Sequence, residues 1–269
     1  MGVHKWSAKD SRGAIVLVHG TGEHHGRYEH VAASFNQAGW DVYAEDLPGW
    51  GRSPGRRGHI QSFEDYLSRV REWTSTALAD ASGEKPVFLM GHSLGGLIAT
   101  RFIQTDERSK ELAGLILTSP CLKLKLTVPA WKEQLAQFLD RVWPTLVMPN
   151  GITPDMVSRD EAVQAAYQND PLNYSKVSVR WFTELNRSME KAWEERNRMK
   201  HPVLVLQAGA DTLVDADAVE QFTAGLPDRY TFERFAGLRH EILNEPEKEE
   251  VLQKIVNWLN DNILFNVTY

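Results

Sequence analysis

The most constraining feature of this chain is a hexapeptide, Gly-His-Ser-Leu-Gly-Gly, at residues 91–96. It follows a short apolar segment, 86–90, and precedes a second one, 97–103, whose apolar residues recur at helical spacing. In a sharp turn from strand to helix, neighbouring backbone comes so close that only glycine fits on either side of the central residue. Such a turn holds the Ser93 hydroxyl near backbone N–H groups that can stabilise an oxyanion. The motif predicts a nucleophilic serine; the alternative is a glycine-rich turn whose serine only caps the helix.

The rest of the chain alternates between strand and helix patterns. Short apolar segments are predicted as strands at 13–19, 41–45, 86–90, 112–118, 203–207 and 230–235. Segments with apolar residues every three or four positions are predicted as helices at 28–38, 63–79, 97–103, 215–225 and 246–262. This alternation predicts an α/β fold with a mostly parallel central sheet and helices on both faces.

The alternation stops between residues 121 and 200. This stretch has no convincing buried strand and holds helical segments separated by prolines. We therefore predict that residues 121–200 form a helical cap inserted over the sheet. The sheet domain would then consist of residues 1–120 and 201–269, since the strand and helix patterns resume near residue 203.

A serine nucleophile needs a base, and the base needs a carboxylate to orient it. In an open parallel sheet these groups come from loops at the carboxyl ends of strands. The loops after the last two predicted strands carry Asp211 and His240. The order serine, aspartate, histidine is one that triads on such sheets follow. Asp211 is preferred to Asp215 because it lies nearer the strand end, whereas Asp215 is expected to cap the following helix.

Three other histidines compete with His240. We expect His92 to point away from Ser93 into a packed, hydrogen-bonded position. We expect His19 to brace the loop after the first long strand, and His24 to be a polar loop residue. The histidines near the N-terminus show no metal-ligand spacing, so neither a metal nor another cofactor is predicted.

The oxyanion hole requires two backbone N–H groups. One is predicted from Leu94, which follows the nucleophile, and the other from Thr21, in the glycine-rich loop 19–22. The hydroxyl of Thr21 offers a third donor, although a plain turn role is at least as well supported.

Composition restricts the remaining function classes. The chain is 42% hydrophobic and 25% charged, which is ordinary for a globular protein. Its net charge of −6 argues against a nucleic-acid partner, which favours a basic face. The single cysteine, Cys121, excludes an intrachain disulfide. The N-terminus has no apolar segment of signal-peptide length, and no stretch approaches the roughly 20 apolar residues that cross a bilayer. These features predict a soluble, cytoplasmic protein.

The motifs together resemble the monoacylglycerol lipase and lysophospholipase branch of the α/β-hydrolases. The matching segments follow the family's order and span nearly the whole chain: 19–28, 46–53, 91–96, 209–211 and the loop that carries His240. The resemblance implies an α/β-hydrolase fold and a serine esterase that acts on single-chain lipids, with a mobile helical cap over a hydrophobic acyl tunnel. By motif it assigns the triad to Ser93, Asp211 and His240, and the oxyanion hole to Thr21 and Leu94. Thr21 stands where the family often has a small apolar residue.

Five residues are candidates for binding a lipid ester substrate. On a predicted cap helix, Trp131, Leu135 and Phe138 either face an acyl chain or pack against the sheet domain. Glu23 and Arg27 lie beside the predicted oxyanion hole, where they either hold a polar head group or pair with each other or the cap. Some family members act at membrane surfaces, so transient peripheral contact is left open, and the sequence does not fix the oligomeric state.

The main functional prediction is an esterase that cleaves monoacylglycerols or lysophospholipids through an acyl-enzyme. Three alternatives would use the same triad. An acyltransferase would transfer the acyl group to an acceptor other than water, whereas a thioesterase or a peptidase would cleave a different bond. A lipid-binding protein without turnover is the alternative from another class, and an intact triad in the expected order argues against it.

Overall fold

The computed structural model describes residues 2–125, 130–227 and 229–265. The strands are β1 His4–Trp6, β2 Gly13–Val18, β3 Trp40–Ala44, β4 Val87–His92, β5 Gly114–Thr118, β6 Val147–Pro149, β7 Lys176–Ser178, β8 Val203–Ala208 and β9 Tyr230–Phe235. The helices are α1 Glu29–Gln37, α2 Glu64–Ala81, α3 Leu94–Thr105, α4 Ala130–Val142, α5 Pro154–Val157, α6 Glu161–Asn169, α7 Val179–Glu194, α8 Ala216–Ala224 and α9 Lys248–Phe265. Short 3-10 turns lie at His25–Tyr28, Glu107–Glu111 and Arg196–Arg198.

Seven strands of the described chain form one sheet in the order β1-β3-β2-β4-β5-β8-β9. Strand β1 is antiparallel to β3, and the other neighbouring pairs are parallel. Every residue of β2, β4, β5 and β8 is buried, as expected for parallel strands covered on both faces. The predicted mostly parallel sheet is confirmed.

The sheet separates two apolar cores. Because successive side chains of a strand point to opposite faces, Val16 and Leu89 lie in one core while Ile15 and Phe88 lie in the other. Helices α2, α3 and α8 cover the first face, and α1 and α9 cover the second. The loops at the carboxyl ends of the parallel strands therefore meet at one edge of the sheet. The helices cover the two faces of the sheet and leave this edge accessible.

The described part of the segment 121–200 adds no strand to this sheet. It contains α4 to α7 and a small antiparallel pair, β6 with β7, in which Met148 lies opposite Val177. This pair was not predicted, because strands of three residues are too short to show a periodic pattern in the sequence. Among the helices of the described ranges, none combines the length and the apolar character needed to cross a bilayer.

Candidate active site

Ser93 occupies a strained turn between β4 and α3. Its φ of 53° and ψ of −116° lie outside the regions that residues with a side chain usually adopt. A Cβ atom on Gly91 would lie 2.2 Å from the carbonyl oxygen of Gly95, and one on Gly95 would lie 2.0 Å from that of Val18. Glycine is therefore required at both positions for the turn to pack. The Ser93 side chain makes no capping hydrogen bond to α3, so the capping alternative does not describe it.

Ser93, His240 and Asp211 form a continuous hydrogen-bonded line. The Ser93 hydroxyl donates to His240 Nε2 at 2.8 Å, and His240 Nδ1–H donates to Asp211 Oδ2 at 2.7 Å. The other carboxylate oxygen of Asp211 accepts the backbone N–H groups of Leu213 and Val214, at 2.8 and 3.0 Å. Both the carboxylate and the imidazole are thus fixed in one orientation, with the serine hydroxyl at the open end.

The other acidic candidate lies elsewhere. Asp215 Oδ1 accepts the Ala218 N–H at 3.1 Å at the start of α8, and Asp215 also pairs with Lys123 at 3.2 Å. It caps the helix, as the sequence predicts. Of the two carboxylates in this loop, Asp211 is the one that contacts His240.

Burial and charge act in opposite directions on the His240–Asp211 pair. Burial alone lowers the pKa of His240, but the negative charge of Asp211 and its hydrogen bond raise that pKa above its ordinary value. Burial raises the pKa of Asp211, while His240 and the two backbone N–H groups lower it below the ordinary value. The arrangement therefore keeps the carboxylate ionised and favours an imidazole that takes up a proton.

The two predicted oxyanion donors lie in the loop after β2 and at the start of α3. Leu94 is the first residue of α3, so its N–H has no acceptor within the helix. Thr21 follows β2 and lines the same small cavity as Ser93 and His240. Their placement at one edge follows from the pairing of β2 with β4 in the sheet.

The cavity at Ser93 is very small. Its volume is about 10 Å³, room for about one water molecule. Ile152, Val157 and Tyr167, all from the segment 121–200, line it together with Ser93. An ester substrate therefore reaches the hydroxyl only when these side chains part from it.

The histidines considered as alternatives have other partners. His19 is fully buried; its Nδ1–H donates to Gly20 O at 2.9 Å, and its Nε2 accepts the Leu47 N–H at 2.9 Å. It thus braces the loop after β2, in the manner the sequence predicts. His24 hydrogen-bonds to Asp170 at 2.8 Å. Within the described residues, no group of three or more His, Cys, Asp or Glu side chains is placed to hold a metal ion.

His92 lies closer to the triad than the sequence suggests. Its Nδ1 hydrogen-bonds to Thr118 O at 3.1 Å, a packed position that was predicted. Its ring centroid also lies 4.9 Å from that of His240, a contact that was not. Burial, and then repulsion from His240, lower the pKa of His92 to about 4. His92 is therefore neutral at physiological pH and supports His240 as an uncharged neighbour.

Glu23 and Arg27 form a buried ion-pair network. Arg27 donates to Glu23 at 2.6 Å and makes two bonds of 2.7 Å to Glu241. Glu23 Oε1 accepts Gly20 N–H at 2.6 Å and the Tyr28 hydroxyl at 2.7 Å. Despite burial, the charge of Arg27 lowers the pKa of Glu23 to about 2. The pairing alternative thus describes the structure, and head-group binding stays a prediction. Glu241 was not predicted as part of this network, although its position next to His240 in the sequence was a signal.

The structure does not bring Leu135 or Phe138 to the cavity at Ser93. Leu135 and Phe138 of α4 are 46% and 60% exposed, so the alternative that they pack on the sheet domain is wrong for them. The side chain of Trp131 lies outside the described residues. The opposite side of α4, with Ala136 and Asp140, faces α7 across a groove of about 910 Å³.

Known proteins are similar to this chain over nearly its full length. Residues 9–247 match the model of the family described as serine aminopeptidase, S33. The chain is 39% identical over 250 residues to phospholipase YtpA of Bacillus subtilis, covering 92% of this chain and 95% of that protein. It is 32% identical over 259 residues to a monoacylglycerol lipase of Mycolicibacterium smegmatis, covering 93% and 89%. The crystal structure of Paleococcus ferrophilus monoacylglycerol lipase has a TM-score of 0.87 at 34% identity, covering 97% and 100%.

The predicted resemblance is confirmed by these matches. The parallel sheet and its helices form the α/β-hydrolase fold that the sequence predicts. The family match covers most of the chain, and the relatives named lipase or phospholipase align over almost their whole lengths. From both the fold and the relatives it follows that the chain belongs to the S33 family of α/β-hydrolases, in its monoglyceride lipase-like branch, and is a serine lipase or esterase.

Proposed function

We propose that this enzyme hydrolyses the acyl ester of monoacylglycerols, with lysophospholipids as the second candidate substrates. Ser93 is the nucleophile, His240 the general base and Asp211 the carboxylate that orients it. The observation that carries the proposal is the line of hydrogen bonds of 2.8 and 2.7 Å that joins these three side chains. The relatives named monoacylglycerol lipase and phospholipase support the substrate class.

In the first half of the reaction, the Ser93 oxygen attacks the ester carbonyl carbon while His240 Nε2 takes the hydroxyl proton. The N–H groups of Thr21 and Leu94 stabilise the oxyanion of the tetrahedral intermediate. The ester bond breaks, and His240 returns its proton to the departing alcohol. In the second half, His240 takes a proton from water, which attacks the acyl-enzyme and releases the fatty acid.

We further propose that residues 121–200 are a cap and that the acyl chain lies in the groove between α4 and α7. The groove volume of about 910 Å³ is within the range of ligand sites. Its inner end includes Leu122 and Met189; Met189 contacts Cys121, whose N–H donates to Ser93 O at 2.9 Å. In this proposal Trp131, Leu135 and Phe138 contact the acyl chain after α4 turns its apolar side inward.

The charges around Ser93 favour a neutral head group. Two carboxylates, Glu23 and Glu241, line the cavity, and one cation, Arg27, pairs with both. A phosphodiester next to this excess negative charge is repelled, whereas glycerol is not. We therefore expect kcat/KM for a monoacylglycerol to exceed that for a lysophosphatidylcholine with the same acyl chain by roughly tenfold.

Two measurements test the proposal. A fluorophosphonate probe should label the wild type and a Ser109→Ala control, whose buried serine lies in the turn before β5, but not Ser93→Ala. Labelling of Ser93→Ala at the wild-type rate would reject the nucleophile. The substrate panel then separates the chemistries: faster turnover of a thioester or an aminoacyl anilide, or acyl transfer to an added alcohol in preference to water, would favour the thioesterase, peptidase or acyltransferase alternative.

A further inference from the structure

Gln207 is a fully buried polar residue in an otherwise apolar strand. It lies near the end of β8, after Val205 and Leu206, and is 0% exposed. Its side-chain Nε2 donates two hydrogen bonds, to Ala208 O at 3.0 Å and to Asp211 Oδ2 at 3.3 Å. A buried amide is unfavourable unless its polar atoms are paired, so its presence here requires a reason.

The other polar atom of this amide is not paired. Oε1 of Gln207 is buried and has no hydrogen-bond partner among the residues that the structure describes. An unpaired buried acceptor destabilises the folded state, whereas an apolar side chain of the same shape does not. Methionine would fill a similar volume without this penalty. The strand therefore holds a glutamine where packing alone favours an apolar residue. Nε2 is the atom of its amide that makes hydrogen bonds.

The bond from Nε2 completes the surroundings of the Asp211 carboxylate. Oδ1 is held by the N–H groups of Leu213 and Val214, which fix that end of the carboxylate. Oδ2 accepts His240 Nδ1–H at 2.7 Å and Gln207 Nε2–H at 3.3 Å. Without Gln207, the oxygen that faces the imidazole has that imidazole as its single remaining partner in the described structure.

We propose that Gln207 is a positioning residue for catalysis: it holds Oδ2 of Asp211 in line with His240 and limits the negative charge available to the imidazole. The inference rests on the proposed roles of Ser93, Asp211 and His240. A hydrogen bond donated to Oδ2 partly neutralises its negative charge. With Gln207 in place, Asp211 therefore raises the proton affinity of His240 less than it would without this donor. More of His240 is then neutral near pH 7 and able to accept the Ser93 proton.

A purely structural role is the alternative. Nε2 also pairs with Ala208 O, so Gln207 satisfies the last carbonyl of the strand. In that case its loss changes stability but neither the rate of the chemical step nor its pH dependence. The two roles therefore predict different kinetic results.

The test is Gln207→Met, compared with Leu206→Met, a volume-conserving change at the neighbouring buried position of the same strand. We expect Gln207→Met to lower kcat about tenfold with KM within about twofold of wild type. The acid limb of kcat/KM should move to higher pH, because the proton affinity of His240 rises. Leu206→Met should change neither quantity. Circular dichroism melting of both variants checks that each is folded, and the rate of fluorophosphonate labelling at sub-saturating probe gives a second measure of the activation of Ser93.

The outcomes separate this inference from the proposed function. If Ser93→Ala is inactive while Gln207→Met keeps wild-type kcat and an unmoved acid limb, the triad stands and the role of Gln207 is overturned. If both methionine variants lose activity equally with no change in the pH profile, the effect is one of packing and the inference is likewise overturned. If Ser93→Ala remains active, the proposed function itself fails.

Discussion

Two parts of the proposed cap are attached to the sheet domain in different ways. Strand β7 and the start of α7 are pinned: Ser178 N–H donates to Gly58 O at 2.8 Å, and Trp181 Nε1–H donates to Tyr66 OH at 2.8 Å. Helix α4 is the opposite case, because Phe138 is 60% exposed and its neighbours along the same stripe are also exposed. The proposed cap thus has one part buried against the seven-stranded sheet and its helices and one part largely in solvent.

This difference indicates which part can move. Displacing β7 unpairs buried backbone and side-chain groups, which is strongly unfavourable. Displacing α4 breaks its ion pair from Asp140 to Arg180, at 2.5 Å, and over residues 134–142, whose side chains the structure describes, it exposes little apolar surface that is not already exposed. We infer that α7, which the contacts at β7 and Trp181 hold in place, forms a fixed wall of the groove, while α4 is the wall that changes position.

The largest effect is expected from a side chain placed at the pinned contact. Gly58 has a φ of 67°, and a Cβ there would lie 2.2 Å from Lys176 O. Gly58→Ala should therefore lower the free energy of unfolding by about 3 kcal/mol, since both backbone strain and a backbone clash must be relieved. Gly151→Ala is the matched control, because Gly151 has a φ of 77° but open space around it, and it should lose about 1 kcal/mol. Equal losses in urea unfolding would contradict a tight contact at β7.

A buried and an exposed tryptophan give the next comparison. Trp181→Phe removes a buried hydrogen bond to Tyr66 and leaves a small void, so we expect a loss of about 2 kcal/mol. Trp143→Phe, just after α4, changes a side chain that is 58% exposed and should stay within about 0.5 kcal/mol of wild type. A larger loss at Trp143 than at Trp181 would reverse the assignment of fixed and movable parts.

A smaller, pH-dependent effect is expected at the contact between His24 and Asp170. Burial raises the pKa of Asp170, but the hydrogen bond from His24 lowers it below its ordinary value. Because the pKa of Asp170 is lower in the folded state, the carboxylate stabilises the protein at pH values above its unfolded-state pKa, near 3.9. This contribution is lost as the pH falls through the pKa of the folded state. Asp170→Asn should lose about 1 kcal/mol at pH 7 and less than this at pH 3, below the ordinary pKa of the carboxyl. A difference that is the same at both pH values would exclude the charge as its cause.

The smallest effect on stability is expected on α4. Phe138→Ser should change the free energy of unfolding by no more than about 0.5 kcal/mol, because the side chain is already 60% exposed. If α4 turns its apolar side toward an acyl chain, the same variant should raise KM for a long-chain monoacylglycerol and leave KM for a short-chain ester unchanged. An equal change for both chain lengths would show that Phe138 does not contact the distal acyl chain.

Much of the fold was predictable because the relevant signals are local. A Cβ on Gly91 would meet Gly95, four residues along the chain, so the strand, the turn and the helix can be inferred from one stretch of sequence. The atom that excludes a Cβ on Gly95 is Val18 O, on the neighbouring strand β2. The loops that carry Asp211 and His240 were predictable as neighbours, since parallel strands end at the same edge of a sheet.

The rest depends on contacts between distant parts of the chain. Arg27 pairs with Glu241, 214 positions away, and no local pattern distinguishes that pairing from a solvent-exposed arginine. The apolar stripe of α4 was recognised, but periodicity does not say what a stripe faces, and here Leu135 and Phe138 face solvent. Gln207 looked like the end of an apolar strand, because its hydrogen bond to Asp211 depends on how the following loop turns back.

The tight space above Ser93 has a kinetic consequence. A volume of about 10 Å³ does not admit a carbonyl group together with its substituents, so a covalent inhibitor reacts only after the site has opened. At saturating reagent, inactivation should then reach a plateau rate shared by inhibitors of very different intrinsic reactivity, because that plateau reports the frequency of opening.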